Sequence, residues 1–427
     1  MGYAFRNFKK AFLYFLLFKT ILVQNLTFLS LPGIPLLTID TFMSLFFCGL
    51  FLCNYNRYKG LECEKFPMKK PFIALTISMF LSAIFAIVGF KSAVSMFIGD
   101  SIQFLLVFMM WKFIVSKKDL LFLLKGFSIL FICYAGYMFY EYSIQSNPFI
   151  KYTQSFISTD RVIDFQYDIT EERGYRSQSV FDHAIGGGCN FIIIGSLIFS
   201  LLYYFRLQLD KKILYLICAI LCTMCAFLTG SRGPIFFMLI SYLSVINLKN
   251  PKVYKILVLV ILIGFIILPL LPDTIYNIFM SIFDSSYQKR TGGSNMDMRL
   301  DQLATSIAIM QESPWVGLGQ KFLNVYSGSL AQYLLGMESM WFKILTTYGM
   351  LGVVTNLYSA YYFLIKIPKQ YHTIPFFFVA LAYWVTNSLT STPGIKIYLY
   401  YMVLVIFLKL ADQRYKLKQV SFNRISI

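Results

Sequence analysis

The sequence predicts an all-α polytopic membrane protein, with about twelve transmembrane helices and two long loops on the outer side. Three observations carry that expectation. The first is composition: of 427 residues, 58% are hydrophobic and 14% charged, whereas a soluble domain carries roughly a quarter charged residues. The second is the succession of apolar runs, each near the ~20 residues that a helix needs to cross the hydrocarbon core with its backbone groups paired internally. They fall near 11–30, 35–53, 71–90, 93–114, 120–142, 184–205, 213–229, 234–248, 255–271, 340–365, 374–390 and 395–410.

The third observation is where the charge lies. A net charge of +18 would point to nucleic acid in a soluble chain. Here 25 of the 38 basic residues fall in alternate segments, from Arg6, Lys9 and Lys10 through Lys65, Lys69 and Lys70 to Lys409 and Arg424. That is the excess expected of cytoplasmic loops. Both termini are therefore expected inside, and no nucleic-acid partner is implied. Lys9 and Lys10 run into an apolar stretch without a small-residue cleavage site, so the first helix reads as a retained anchor.

The eight cysteines fall in apolar runs or a short basic loop and outside the long charged loops, which argues against a disulfide framework. Cys218, Cys222 and Cys225 lack nearby His or acidic residues and read as packing, so no metal site is expected.

The alternation leaves two long segments outside, about 143–183 and 272–338, which hold 12 of the 20 acidic residues. Loops of that length usually have structure or a role of their own. In the second, Leu300, Leu303, Ile307 and Met310 recur at helical spacing, with Arg299, Gln302 and Ser306 on another face. This reads as an amphipathic helix against the outer mouth. Residues 1–427 read as a single integral membrane domain.

Chemistry is expected in the outer segments. Arg173, Arg176, Arg232, Arg290 and Arg299 stand there against the positive-inside trend. Guanidinium forks match phosphate oxygens, so these arginines could hold a diphosphate; pairing with neighbouring acids such as Glu171 and Glu172 is the alternative. Arg232 lies in the compact turn Thr229-Gly230-Ser231-Arg232-Gly233-Pro234, whose amides could help hold an anion. Glu338 stands where the second loop re-enters the membrane, as a helix cap or as a general base. His183, beside Asp182, could exchange a proton or simply hydrogen-bond its neighbour. Asp40, Asp100, Glu141 and Lys19 lie in or near apolar runs, where ionisable groups are paired or functional; they are the main argument for a transporter.

These elements occur in a recognisable order. Ser179-Val180-Phe181 leads to Gly188; Ser231-Arg232-Gly233 follows; then come Arg299, Pro314 and Gly317-Leu318-Gly319; Glu338-Ser339 and Gly349-Met350-Leu351-Gly352 close the block. In this the chain resembles the bacterial O-antigen polymerase and O-antigen ligase superfamily, most clearly from Tyr175 to Val354. The resemblance implies a GT-C-like architecture in the bacterial inner membrane and a periplasmic site without cofactor. It also implies inverting, metal-independent glycosyl transfer from an undecaprenyl-diphosphate-linked oligosaccharide. Arg176, Arg232 and Arg299, with Arg173 and Arg290, would bind the diphosphate. Ligases of the superfamily carry histidine where this chain has Glu338, which favours a polymerase with Glu338 as base; His183 or Asp182 stays open for that role. The ligase reading and, in another class, a flippase for lipid-linked glycan are the alternatives. The resemblance leaves room for a chain-length regulator as protein partner.

Overall fold

The computed structural model describes residues 2–22, 27–29, 37–59, 65–154, 175–245, 276–277, 280, 296–326, 334, 337–390 and 395–425. Helices dominate: α1 Gly2–Arg6, α2 Phe8–Phe18, α3 Ile39–Cys53, α4 Tyr55–Lys59, α5 Lys69–Ile84, α6 Phe90–Phe113, α7 Lys117–Ile144 and α8 Pro148–Gln154. They continue with α9 Ala184–Phe199, α10 Lys212–Leu228, α11 Arg232–Tyr242, α12 Met296–Met310, α13 Met340–Tyr361, α14 Ile367–Tyr371, α15 Ile374–Leu389 and α16 Ile397–Ile425. Short π-helical turns extend α9 to Tyr204 and α13 to Lys366.

Among the described residues, four helical stretches are long and apolar enough to cross a membrane: Ser92–Phe113, Lys117–Ile144, Ala184–Tyr204 and Met340–Tyr371. Shorter apolar helices occupy Ile39–Cys53, Lys212–Leu228, Arg232–Val245 and Ile374–Leu389. The span expected at 255–271 lies outside the described residues. One expectation changes. The helix read over 11–30 ends at Phe18, and Thr27–Leu29 pairs antiparallel with Leu37–Thr38.

Helix α9 is the central post: 89% of its most apolar window is buried inside the protein. It packs against α10 and α11, and its glycines make the approach close. A Cβ on Gly188 would stand 2.6 Å from Pro234 Cγ and 2.8 Å from Thr229 Cγ2. Small residues do this between membrane helices, where lipid is as apolar as protein and close packing supplies the attraction. Cys218, Cys222 and Cys225 of α10 are fully buried in the same core.

The ionisable groups of the apolar runs have partners. Lys19 Nζ donates to Asp40 and, at 3.0 Å, to Ser44 Oγ. Asp100 accepts from Gln320 Nε2, which also meets the Tyr348 hydroxyl. Glu141 receives the backbone amides of Gln178 at 3.0 Å and Ser179 at 2.7 Å, and the Tyr175 hydroxyl at 3.0 Å.

Helix α12 is amphipathic, with its polar face turned inward. Gln302, Thr305 and Ser306 are buried, while Leu300, Leu303 and Ile307 are exposed. The inner side is anchored by Ile309 in a small cluster with Leu318, Phe322 and Leu334. An outward apolar stripe suits a helix bordering lipid, for which burying polar groups against protein partners is the lower-energy arrangement.

Candidate functional site

Contacts between helix ends gather the outer residues at one end of the bundle. The amide of Ser177 donates to Leu228 O, so the segment before α9 meets the C-terminus of α10. Gly233, at the start of α11, lies against Ile185 of α9 and against Thr386 and Thr390 at the end of α15. The Trp341 indole, in the first turn of α13, donates to Ser388 Oγ at 2.8 Å. Lys396, just before α16, reaches Asp182 at 3.4 Å. Chain ends and chain starts thus alternate at one level, as up-and-down crossings require.

Arg176 is set by this arrangement. Glu141, at the end of α7, clamps the amides of Gln178 and Ser179, which fixes the chain two residues beyond the arginine. The guanidinium is buried to 8% exposure; its Nη2 donates to Ser231 Oγ and its Nε to Thr229 O at 3.4 Å. Gly230 turns the chain with φ 55°, and Arg232 follows, half-buried, as the first residue of α11. The Arg176 guanidinium and the amide end of an 11-residue helix that begins with Arg232 therefore meet in one turn. That is a positive environment matched to a phosphate-bearing ligand.

His183 stands at the start of α9, where its Nδ1 accepts the Ile185 amide at 3.1 Å. The ring is the N-cap of α9, and its proton resides on Nε2. Burial and the positive charge of Arg176 push its pKa down to about 4. At neutral pH it is uncharged, with Nε2 as a donor and its acceptor nitrogen occupied.

Glu338 and Arg299 form a second group. Arg299 Nη2 lies 3.9 Å from Glu338 Oε2, with side-chain exposures of 28% and 26%. That separation is too long for a direct hydrogen bond, so the carboxylate is oriented by the charge without being tied to it. The Glu338 amide donates to Gln302 Oε1 at 2.9 Å, and the next residue, Ser339, caps α13 through its hydroxyl. Glu338 is therefore held by its backbone while its side chain stays accessible, and capping passes to Ser339.

What fixes α12 against α13 is a backbone lock. Helix α13 breaks at Gly349, whose φ 59° and ψ −158° are not helical. The amides and carbonyls released by the break pair with the segment 314–319. Leu318 N donates to Thr346 O at 2.9 Å and Gly319 N to Thr347 O at 3.0 Å; Met350 N donates to Pro314 O at 2.9 Å and Leu351 N to Trp315 O at 3.0 Å. Contact is so close that a Cβ on Gly317 would sit 2.4 Å from the Thr347 carbonyl. The Ile87 amide joins from the end of α5, donating to Leu318 O at 3.1 Å.

Residues 217–357 match the family model described as O-antigen ligase. This segment, about a third of the chain, is similar to the O-antigen ligase family. The match supports the resemblance to the O-antigen polymerase and ligase superfamily. The match begins within α10 and contains the Ser231-Arg232-Gly233 turn, α11, α12, the lock and most of α13. No curated protein matches the chain significantly.

Within and beside the matched segment, the structure joins Arg176 to the Arg232 turn and Arg299 to Glu338, and it ties both groups to the end of α15. Arg173 and Arg290 lie outside the described residues. In sequence Glu141 reads as one of several intramembrane acids; its place at a helix end seven residues before the first loop's Pro148 is the signal that marks it as a loop clamp. In sequence Gln302 reads only as part of the polar face of the second-loop helix, because nothing in its context predicts a hydrogen bond to an amide 36 positions away. The role of Gly317, Gly319 and Gly349 as one backbone lock was equally hidden, although the glycines themselves were conspicuous.

Proposed function

We propose that the chain is a polysaccharide polymerase of the O-antigen superfamily. In this reading it transfers a growing glycan from undecaprenyl diphosphate onto a lipid-linked repeat unit at the periplasmic face of the inner membrane. The observation that carries the reading is the pairing of an accessible carboxylate, Glu338, with Arg299, on the end of the bundle that also holds Arg176 and Arg232.

The chemistry follows from charge. The acceptor hydroxyl attacks the anomeric carbon of the donor, the bond from that carbon to the diphosphate oxygen breaks, and the hydroxyl proton passes to Glu338. Attack opposite the leaving group inverts the anomeric centre. Negative charge grows on the departing diphosphate, and Arg176, Arg232 and Arg299 stabilise it; preorganised donors of this kind lower a barrier by roughly 3–4 kcal/mol each. Neutral His183, with Nδ1 engaged at the helix start, is less suited than Glu338 to accept the proton. The ion pair of Lys19 with Asp40 and the hydrogen bonds that hold Asp100 and Glu141 support catalysis over a flippase, since each of these groups has its partners within the chain.

The ligase reading is favoured by the description of the matched family. Deleting the gene separates the classes on a lipopolysaccharide gel read together with the carrier-lipid pool. Polymerase loss leaves single repeat units on the core, ligase loss strands long chains on the carrier, and flippase loss leaves no units outside. Arg232→Ala, Arg299→Ala and Glu338→Ala should each reproduce the polymerase phenotype at normal abundance. Full-length chains from all three would refute the site.

A further inference from the structure

At the end of the bundle away from Glu338, α5 and α13 leave a groove of about 450 Å³ between them. Ile73, Ala74 and Ile77 of α5 and Val354 and Tyr358 of α13 line it, with Lys70 at its end. Spacings of three and four residues place the first three on one helical face, as they do the pair on α13. Ile73, Ile77 and Val354 are 48%, 51% and 57% exposed, so the wall is apolar along its length.

Only one end is charged. Lys70 and Lys366 are both exposed. Lys366 Nζ lies 3.0 Å from the Tyr362 hydroxyl and 4.5 Å above the ring, and Tyr362 packs on Tyr358 at 4.8 Å between centroids. Lys70 and Tyr358 line the same groove. Two lysines thus stand at the tyrosine end of the groove, and no carboxylate forms an ion pair with either among the described residues. The opposite end of the groove runs toward Ser82, whose hydroxyl meets Thr347 O at 2.7 Å beside the backbone lock. The lysine end therefore faces the membrane surface opposite the candidate site.

We propose that this groove binds an anionic phospholipid, with an acyl chain along the apolar wall and the phosphate held between Lys70 and Lys366. A soluble anion would satisfy the lysines and leave the apolar wall unused; a neutral lipid would fill the wall and leave two like charges facing each other. An anionic lipid matches both, and basic pockets between helices on the cytoplasmic side recognise such headgroups. Tyrosine and lysine at headgroup depth reinforce the match.

The test uses the full chain in phosphatidylcholine bilayers with increasing phosphatidylglycerol, following thermal unfolding. Phosphatidylglycerol should raise Tm at low mole fraction. The double variant Lys70→Gln/Lys366→Gln should need about 30-fold more of it for half the gain, which corresponds to ~1 kcal/mol per lysine. Lys211→Gln/Lys212→Gln, an equal loss of charge elsewhere on the basic surface, should leave the titration unchanged. Ala74→Trp, which fills the wall and keeps both lysines, should abolish the gain. The proposal is overturned if the wild type shows no preference for phosphatidylglycerol, if both lysine pairs respond alike, or if Ala74→Trp titrates as the wild type does.

Discussion

Gly349→Ala is the sharpest perturbation of the lock that joins α12 to α13. The native φ of 59° with ψ of −158° lies at the edge of a region that is almost exclusively glycine's, and holding alanine there costs roughly 1–3 kcal/mol. The added Cβ would also stand 2.7 Å from Gly317 N and Trp315 C and 2.8 Å from Pro314 O. All three are backbone atoms, so relief requires the segment to lift. Lifting it releases the four hydrogen bonds from Leu318, Gly319, Met350 and Leu351, at about 0.5–1.5 kcal/mol each. Strain and lost bonds together give a destabilisation of roughly 3–9 kcal/mol. The assay is thermal unfolding in bilayers, run beside chain extension on a gel. A marked fall in Tm and loss of extension are expected, because Arg299 and Glu338 then lose their common support. Gly136→Ala is the control: nothing lies within 4 Å of its added Cβ, and alanine in a helix gains about 1 kcal/mol. A Gly349→Ala protein with unchanged Tm and full-length product would refute the lock.

Other expectations follow from single side chains. Glu141→Gln puts an amide NH₂ where a carboxylate oxygen accepted a backbone amide, so stability should fall by about 1–3 kcal/mol, with chain extension reduced as Arg176 loosens; unchanged activity and Tm would remove Glu141 as a clamp. His183 has a pKa near 4 in the folded protein, against about 6.5 unfolded. The unfolded chain therefore binds the extra proton first, and stability should decline as pH falls from 6.5 toward 4, by at most ~3 kcal/mol. His183→Asn keeps a capping side chain and should flatten that decline; an unaltered pH profile in the variant would assign the dependence elsewhere. Lys19→Met alone strands the buried Asp40 and should cost about 3–5 kcal/mol, whereas Lys19→Met/Asp40→Leu should recover much of it. Recovery of Tm together with chain extension marks the pair as structural, and recovery of Tm without extension would point to a role in turnover.

How much could be read in advance depends on whether a feature is periodic or depends on a distant partner. Apolar runs repeat along the chain, and lipid demands that each satisfy its own backbone, so α7, α9 and α13 were legible to within a few residues. The first apolar run was not, because a short antiparallel pairing takes the end of the expected helix. Helix α12 was found at the right residues from its 3.6-residue pattern. Its orientation could not be read, because the pattern fixes two faces but not which one meets protein.

The same division runs through the site. Arginines outside the positive-inside trend and a carboxylate at a re-entry point are local signals, and they singled out Arg176, Arg232, Arg299 and Glu338 from the sequence alone. Only the tertiary structure decided how they are held. Glu141 grips a loop 37 and 38 residues away, Gln302 holds the backbone of Glu338, and His183 turns its ring to a helix end. Gly349 meets Gly317 across a break that no periodicity announces. The sequence determines which helices can exist in lipid, because burial of the backbone is settled within each segment. Partners of polar groups are settled between segments, and there the fold alone chooses.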